Sequence, residues 1–298
     1  MEGAEDSTST ALANVLRDLG EFESAITILE SLPPERIEYT GTIANLALIY
    51  QHQGEIQKAE DLLRRAINKD PDNPTLHINL AHTLLSGGNF HDGWKEFQWR
   101  LKEPKIQRHL SSLPGSLWTG NDISRKSVLV LCEQGAGDCF QFIRFLPLLA
   151  DRAEDVILSV PPNLLRILQN SSSNYTVISM DTSTPNCDTH VPLMGLPGIL
   201  DIEDVPIPIP YLRAEKDLVD MWANRLANER LKVGLTWQGN RAYETDYLRS
   251  ISFNEISPLI ESGLAEFYAI QKGSVAKNIP TMTHLLNLGP DLDNKDAF

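Results

Sequence analysis

The sequence predicts an α-helical repeat array followed by α/β units built on parallel strands. Two observations carry this. Gly20, Gly54 and Gly88 recur every 34 residues, and Leu12, Leu46 and Leu80 keep the same register, as do Ala13, Ala47 and Ala81. From residue 127 the period changes, and short apolar runs alternate with helical stretches, as when strands are joined by helices that pack on a sheet.

The repeats come first in the chain. Around each glycine a pattern returns: GEFESA (20–25), GEIQKA (54–59) and GNFHDG (88–93). NLALIYQHQ and AEDLLRRAI carry apolar residues at helical spacing, and Gly54 breaks the chain between them. Small residues at 13, 47 and 81, and at 25, 59 and 93, let paired helices approach closely. Pro71 falls where the second repeat should end. The pattern resembles the tetratricopeptide repeat, a 34-residue helix–turn–helix, whose units stack into a solenoid with a concave binding face.

In the similar repeat domain of protein O-GlcNAc transferase, an asparagine at the position of Asn45 and Asn79 lines the groove and holds peptide backbone. The resemblance therefore implies a peptide-binding groove at Asn45 and Asn79, since an amide donates and accepts at once. Facing water at a common repeat position is the alternative for both.

After Gly93 the stretch GWKEFQWRLKEP (93–104) is rich in aromatics, and 109–126 reads as loop. Trp94, Trp99 and Trp118 are expected to wedge the repeats against the next domain, with capping of the array as the alternative for Trp94 and Trp99. SVLVL (127–131) reads as a buried strand, 138–152 as a helix, DVILSV (155–160) as a strand and 162–170 as a helix with proline in its first turn. YTVISM (175–180) and THVPL (189–193) are further strands. Ligands bind beyond the carboxyl ends of such strands, where EQGAGD (133–138) sits. Gly135 and Gly137 permit a tight turn or close approach to a ligand. Asp138 either caps the helix or performs chemistry. A dinucleotide fingerprint is excluded, because residue 140 is phenylalanine where a third glycine is needed.

The segments LWTG, VLVLCEQGAGDCFQFIRFLPLLA, CDTHVPLMGLPGIL, IPYLRAE, VGLTWQGNRAYETDYLRSI and YAIQKG, in that order, resemble the bacterial tetratricopeptide-repeat-containing glycosyltransferases. These join repeats to two Rossmann-like GT-B lobes related to heptosyltransferases. The resemblance implies repeats over 1–104, a linker at 105–126, a first lobe at 127–213, a linking helix at 214–230 and a partial donor lobe at 231–298. It implies an inverting, metal-independent transfer from a nucleotide-sugar, with no metal or other cofactor. Asp138 is the implied general base, in an active-site loop that includes Glu133, Gln134, Gly135 and Gly137. Gly239 and Asn240 form a small polar turn at the donor diphosphate, Arg249 is its cation and Lys272 a second one. Arginine suits phosphate through its planar fork of donors. Arg249 and Lys272 as ordinary surface cations are the alternative.

The family pattern continues beyond LLNLGPDLDNKDAF into a segment that closes the donor pocket. The sequence therefore leads us to expect a donor lobe of about half size. The DLD at 291–293 looks accidental in a polar tail.

Composition narrows the function further. With 26 basic against 40 acidic residues the formal net charge is −14, which argues against phosphate-backbone or polybasic membrane contacts. No stretch reaches the ~18 apolar residues of a membrane span, and the N-terminus lacks the pattern of a signal peptide. Cys132, Cys139 and Cys187 show no CxxC spacing, so reduced thiols in a cytoplasmic chain are expected. The expected function is sugar transfer to a protein or glycan acceptor gripped by the repeats. The alternative is a repeat-based interaction scaffold with a vestigial transferase half.

Overall fold

The computed structural model describes residues 2–37, 39–172, 174–205, 210–240, 246 and 249–292, with backbone alone for 2–7, 34 and 36. The chain forms two compact units, Met1–Pro162 with Ser172–Tyr211, and Asn163–Ser171 with Leu212–Phe298.

The first unit opens with α1 (Glu2–Asp18), α2 (Phe22–Glu30), the single turn α3 (Pro34–Ile37), α4 (Thr40–His52), α5 (Ile56–Lys69), α6 (Pro74–Ser86) and α7 (Phe90–Phe97). Three turns have one geometry. Gly20, Gly54 and Gly88 sit at φ 80°, 80° and 81°, a left-handed conformation that glycine adopts without Cβ strain. The next amide in each turn closes on the preceding helix: Glu21 on the Leu16 carbonyl (2.8 Å), Glu55 on Tyr50 (2.9 Å) and Asn89 on Leu84 (2.9 Å).

Ala13, Ala47, Ala81, Ala25 and Ala59 are fully buried, and a Cβ at Gly93 would lie 2.8 Å from the Leu85 side chain. The small residues therefore set the helix spacing. Leu46 packs with Ala13, Ala25 and Leu29 of the preceding pair, and Leu80 with Ala47, Ala59 and Leu63. Leu12 differs, being 48% exposed, because among the described residues no helix pair precedes it.

A 3-10 turn (Gln98–Lys102) leads to α8 (Pro104–Leu110), β1 (Ser116–Leu117), β2 (Ser127–Leu131), α9 (Ala136–Phe142), α10 (Leu146–Ala150) and β3 (Asp155–Val160). Then come α11 (Leu165–Ser171), which belongs to the second unit, β4 (Thr176–Ser179), β5 (Thr189–Pro192) and α12 (Leu196–Ile199). The sheet order is β1-β5-β2-β3-β4, parallel throughout. Val128 faces Val156 on one side and Thr189 on the other. Both β2 and β5 are covered on their two faces, as continuous apolar strands in parallel sheets are.

Three local expectations change. The stretch 109–126 is more than loop, because Ser116 and Leu117 pair with Thr189 and His190 as an edge strand. The helix expected over 138–152 is interrupted by a 3-10 turn (Ile143–Phe145) before α10, where Pro147 cannot donate to the helical ladder. Cys132 and Cys139 are joined as a disulfide, with Cα atoms 5.7 Å apart, whereas reduced thiols were expected. The turn between β2 and α9 folds the two residues together, which no spacing rule encodes. Trp94 does wedge, its ring 5.6 Å from Phe142 of α9, while Trp99 stacks on His77 within the repeats at 3.6 Å.

The second unit holds α11, α13 (Lys216–Arg225), β6 (Lys232–Leu235), α14 (Phe253–Glu261), β7 (Glu266–Ala269), β8 (Leu285–Asn287) and α15 (Gly289–Leu292). Its sheet is β6-β7-β8, again parallel, with Ile260, Ala265 and Phe267 at its core. The linking helix expected at 214–230 is shorter, Lys216–Arg225, and has no buried residue. Leu218, Trp222 and Leu226 instead line a cavity of about 640 Å³ with Ile167 of α11. Arg166 grips Glu215 with two nitrogens and holds that carboxyl below its ordinary pKa. Much of the segment RAYETDYLRS (241–250), and Asp293 of the DLD, lie outside the described residues.

Candidate functional site

In the first unit β3 and β4 lie on one side of β2, and β5 and β1 on the other. The strand order therefore reverses at β2. Crevices at such reversals, beyond the carboxyl ends of the strands, are where open α/β sheets bind ligands. The loop after β2 is Cys132–Gly135, and the chain after β5 runs through Met194.

Glu133 joins these two segments. Its carboxylate accepts two hydrogen bonds of 2.8 Å from Arg100 and one of 3.2 Å from the Met194 amide. Arg100 comes from the 3-10 turn after α7, is buried, and stacks over Phe97 at 4.9 Å. The role of Glu133 in the loop is thus that of an anchor.

The tight turn falls on Gln134, at φ 64°; Gly135 is at φ −85°. The two glycines act by leaving space. A Cβ at Gly137 would meet nothing within 4 Å, and one at Gly135 only the Asp138 carboxylate. Asp138 accepts from the Gly135 amide at 3.1 Å, so it caps α9. One carboxylate oxygen serves the cap, and the other has no protein partner among the described residues.

Asn45 on α4 and Asn79 on α6 are half-buried, and neither side-chain amide hydrogen-bonds to the protein among the described residues. The positions that follow them in register, Leu48, Gln51 and His52 on α4 and His82, Leu85 and Ser86 on α6, line a groove of about 490 Å³. His82 is open to solvent on one side, yet the groove walls desolvate its ring and lower its pKa below the ordinary 6.5. A second cavity, of about 610 Å³, shares Leu85 and Ser86 with this groove and reaches Gly137, Phe140 and Arg144 on the far side.

The second unit has its own constellation at the carboxyl ends of β6 and β7. Gln271 is buried. Its oxygen accepts from the Thr236 hydroxyl (3.2 Å) and from the amides of Trp237 and Gln238 (3.1 Å each). Its nitrogen donates to the Gln238 carbonyl (3.0 Å). One side chain thereby fixes the turn that leads to Gly239.

The Gly239 amide donates to the Ser250 hydroxyl (3.0 Å), and Ser250 donates to Asp246 (3.0 Å). Arg249 donates from Nε to the same carboxylate at 3.1 Å. A Cβ at 239 would strike the Asp246 carboxylate and the Arg249 guanidinium, so glycine lets this pair close over the turn. Asn240 and Lys272 are exposed on the same two strand-end loops. A cavity of about 270 Å³ lies beside them between Trp237, Gln238, Phe253 and Asn278.

The structure thus groups Glu133, Gln134, Gly135, Gly137 and Asp138 on one loop, Gly239 with Arg249 on another, and Asn45 with Asn79 on neighbouring helices. Sequence reasoning missed Arg100, Asp246, Ser250 and Gln271. The signal for Gln271 in the sequence is the QKG run directly after an apolar strand. Among the described residues no group of three histidine, cysteine, aspartate or glutamate side chains is placed to hold a metal, and no helix is long and apolar enough to cross a membrane.

Residues 41–83 match the tetratricopeptide repeat family model TPR_14. Protein FlbA of Caulobacter vibrioides is 24% identical over 139 residues, 46% of this chain and 23% of FlbA, so the chain spans under a quarter of that relative. Among solved structures, a Thermobaculum terrenum O-GlcNAc transferase mutant has a TM-score of 0.32 at 16% identity, covering 60% of this chain and 42% of that one. Haemophilus influenzae LpoA has a TM-score of 0.28 at 12% identity, covering 90% and 64%. The chain therefore carries tetratricopeptide repeats, the kind of module that binds other proteins, next to an α/β region with parallel sheets.

Proposed function

We propose that this chain is a glycosyltransferase-type protein whose repeats hold a protein acceptor for sugar transfer from a nucleotide-sugar. In this reading residues 127–213 and 231–298 are the two GT-B lobes. Asp138 takes the proton of the acceptor hydroxyl as its oxygen bonds to the anomeric carbon, and the nucleoside diphosphate leaves with the electrons of the broken C–O bond. Gly239 and Asn240 supply the turn for that diphosphate, and Arg249 and Lys272 its positive charge.

The observation that carries the reading is the shared wall of the two cavities. A chain lying in the groove along Leu48, Gln51 and His82 meets Leu85 and Ser86, and beyond them the cavity that reaches Gly137, one residue from Asp138. A second reading, a binding scaffold without transfer, is favoured by the cap on Asp138 and by the Arg249–Asp246 pair, each of which gives its residue a structural role.

The Asp138→Asn substitution separates the two. Asparagine still accepts from the Gly135 amide and preserves the cap, but it cannot take a proton. We expect the protein to hydrolyse or transfer from one of a panel of UDP-, GDP- or ADP-sugars, measured as released nucleoside diphosphate, and Asp138→Asn to abolish release with unfolding unchanged. Repeat-dependent peptide binding with no nucleotide binding would establish the scaffold reading.

A further inference from the structure

The cavity between the repeats and α9 has a definite chemical character. Phe90 and Trp94 come from α7, Phe140 from α9, Phe145 from the turn after it, and Tyr211 from the chain leaving the sheet. Amid these rings stands one cation, Arg144. Its Nε donates to the Gln141 carbonyl (2.8 Å), an NH2 nitrogen donates to the Tyr211 hydroxyl (2.8 Å), and its guanidinium lies 4.7 Å over the Tyr211 ring.

Among the described residues Arg144 has no carboxylate partner. That is notable in a chain with 40 acidic residues to 26 basic ones, where Arg100 and Arg166 each grip a glutamate with two nitrogens. The contacts it does make hold the guanidinium in place without neutralising it. An arginine fixed by a neutral hydroxyl and a carbonyl, half-buried beside aromatic walls, keeps hydrogen-bonding capacity and full charge for an anionic group.

We infer that this cavity is a specificity subsite for the protein acceptor, taking an aromatic side chain of the bound segment next to an acidic residue that pairs with Arg144. The inference rests on the reading of the repeat groove as a peptide groove. The walls common to groove and cavity, Leu85 and Ser86, are what make the occupant a peptide: a segment held in the groove enters the cavity without leaving the protein surface. The aromatic ring fills the space between Phe90, Phe140 and Tyr211, where ring pairs add to the benefit of area burial. The carboxylate answers the charge of Arg144, which has no carboxylate partner among the described residues.

The test uses the whole chain and three fluorescein-labelled 13-residue peptides of Gly, Ser and Asn, carrying Phe-Asp, Phe-Lys or Ala-Asp at the centre. Binding is read by fluorescence anisotropy at low salt. The expected result is that Phe-Asp binds roughly tenfold tighter than either other peptide. Arg144→Gln should erase the preference for Asp over Lys while leaving that for Phe over Ala, and Arg144→Lys should restore part of it. Phe140→Ala should do the converse. The double variant Asn45→Ala/Asn79→Ala should weaken all three peptides alike. Binding of all three with equal affinity, or an Asp preference that survives Arg144→Gln, overturns the subsite and leaves the groove reading standing. Binding of none overturns both.

Discussion

Arg100 and Glu133 form a two-pronged ion pair, 2.8 Å on each arm, that ties the turn after the last repeat helix to the loop after β2. Arg100 is buried to 5% exposure, and the Glu133 side chain keeps 21%. The pair makes the position of the 133–138 loop depend on the repeat array.

Removing one member should therefore cost more than removing both. Arg100→Ala leaves Glu133 with only the Met194 amide, and we expect a loss of roughly 2–3 kcal/mol. That is below the ~3–5 kcal/mol of a fully buried pair, because Glu133 is partly solvated. Arg100→Met with Glu133→Leu should recover much of the loss. Urea unfolding of the parent and the two variants decides it, and equal losses for the single and the double variant would show that the charge pairing is unimportant.

The turn before Gly239 should depend on Gln271. Gln271→Ala strips the acceptor from the amides of Trp237 and Gln238, and each buried donor left unmet costs about 1–3 kcal/mol. Gln271→Glu keeps the acceptor but loses the donor to Gln238. Lower stability is expected for Ala than for Glu, together with faster hydrogen exchange at 237 and 238. Unchanged exchange in the Ala variant would remove Gln271 from its role.

His82 sets a pH dependence. Burial lowers its pKa below 6.5, so at neutral pH the ring is mostly uncharged in both folded and unfolded chains and contributes little. As pH falls below 6.5 the unfolded chain binds a proton that the folded groove resists, and stability declines. His52 lines the same groove, so the measurement is a difference: the fall in Tm from about pH 7 to about pH 5 should be shallower in His82→Gln than in the parent. An identical slope would contradict the assignment.

Gly54 reports on the repeat turn. Alanine there has open space around its Cβ but inherits φ 80°, a left-handed conformation that costs an L-residue about 1–2 kcal/mol. We expect Gly54→Ala to lose about 1 kcal/mol in chemical unfolding, and Gly54→Asn less, because asparagine tolerates that region better. A loss larger for Asn than for Ala would point to packing rather than backbone strain.

The repeats were legible in the sequence because their determinants are local and recur. A glycine must sit at positive φ, a small residue must sit where two helices touch, and both return every 34 residues. The strands β2, β3 and β5 were legible for the same reason, as apolar runs with turn residues at their ends. Asp138 was legible as a residue of two roles, and the structure supplies its cap.

What the sequence by itself determined is the order of elements, the repeat register and the loops that carry polar residues to strand ends. Only the tertiary structure decided which of those residues are free and which are spoken for. Arg100 is 33 positions from Glu133, Gln271 is 33 from Gln238, and Ser127 anchors Asp188 across 61. Such pairings arise when separate elements meet in three dimensions, and no periodicity in the chain records which will meet. The same holds for the cavity at Arg144, whose aromatic walls come from α7, α9 and the chain near 211. Each of those segments reads as ordinary core or loop until the sheet and the repeats close around them.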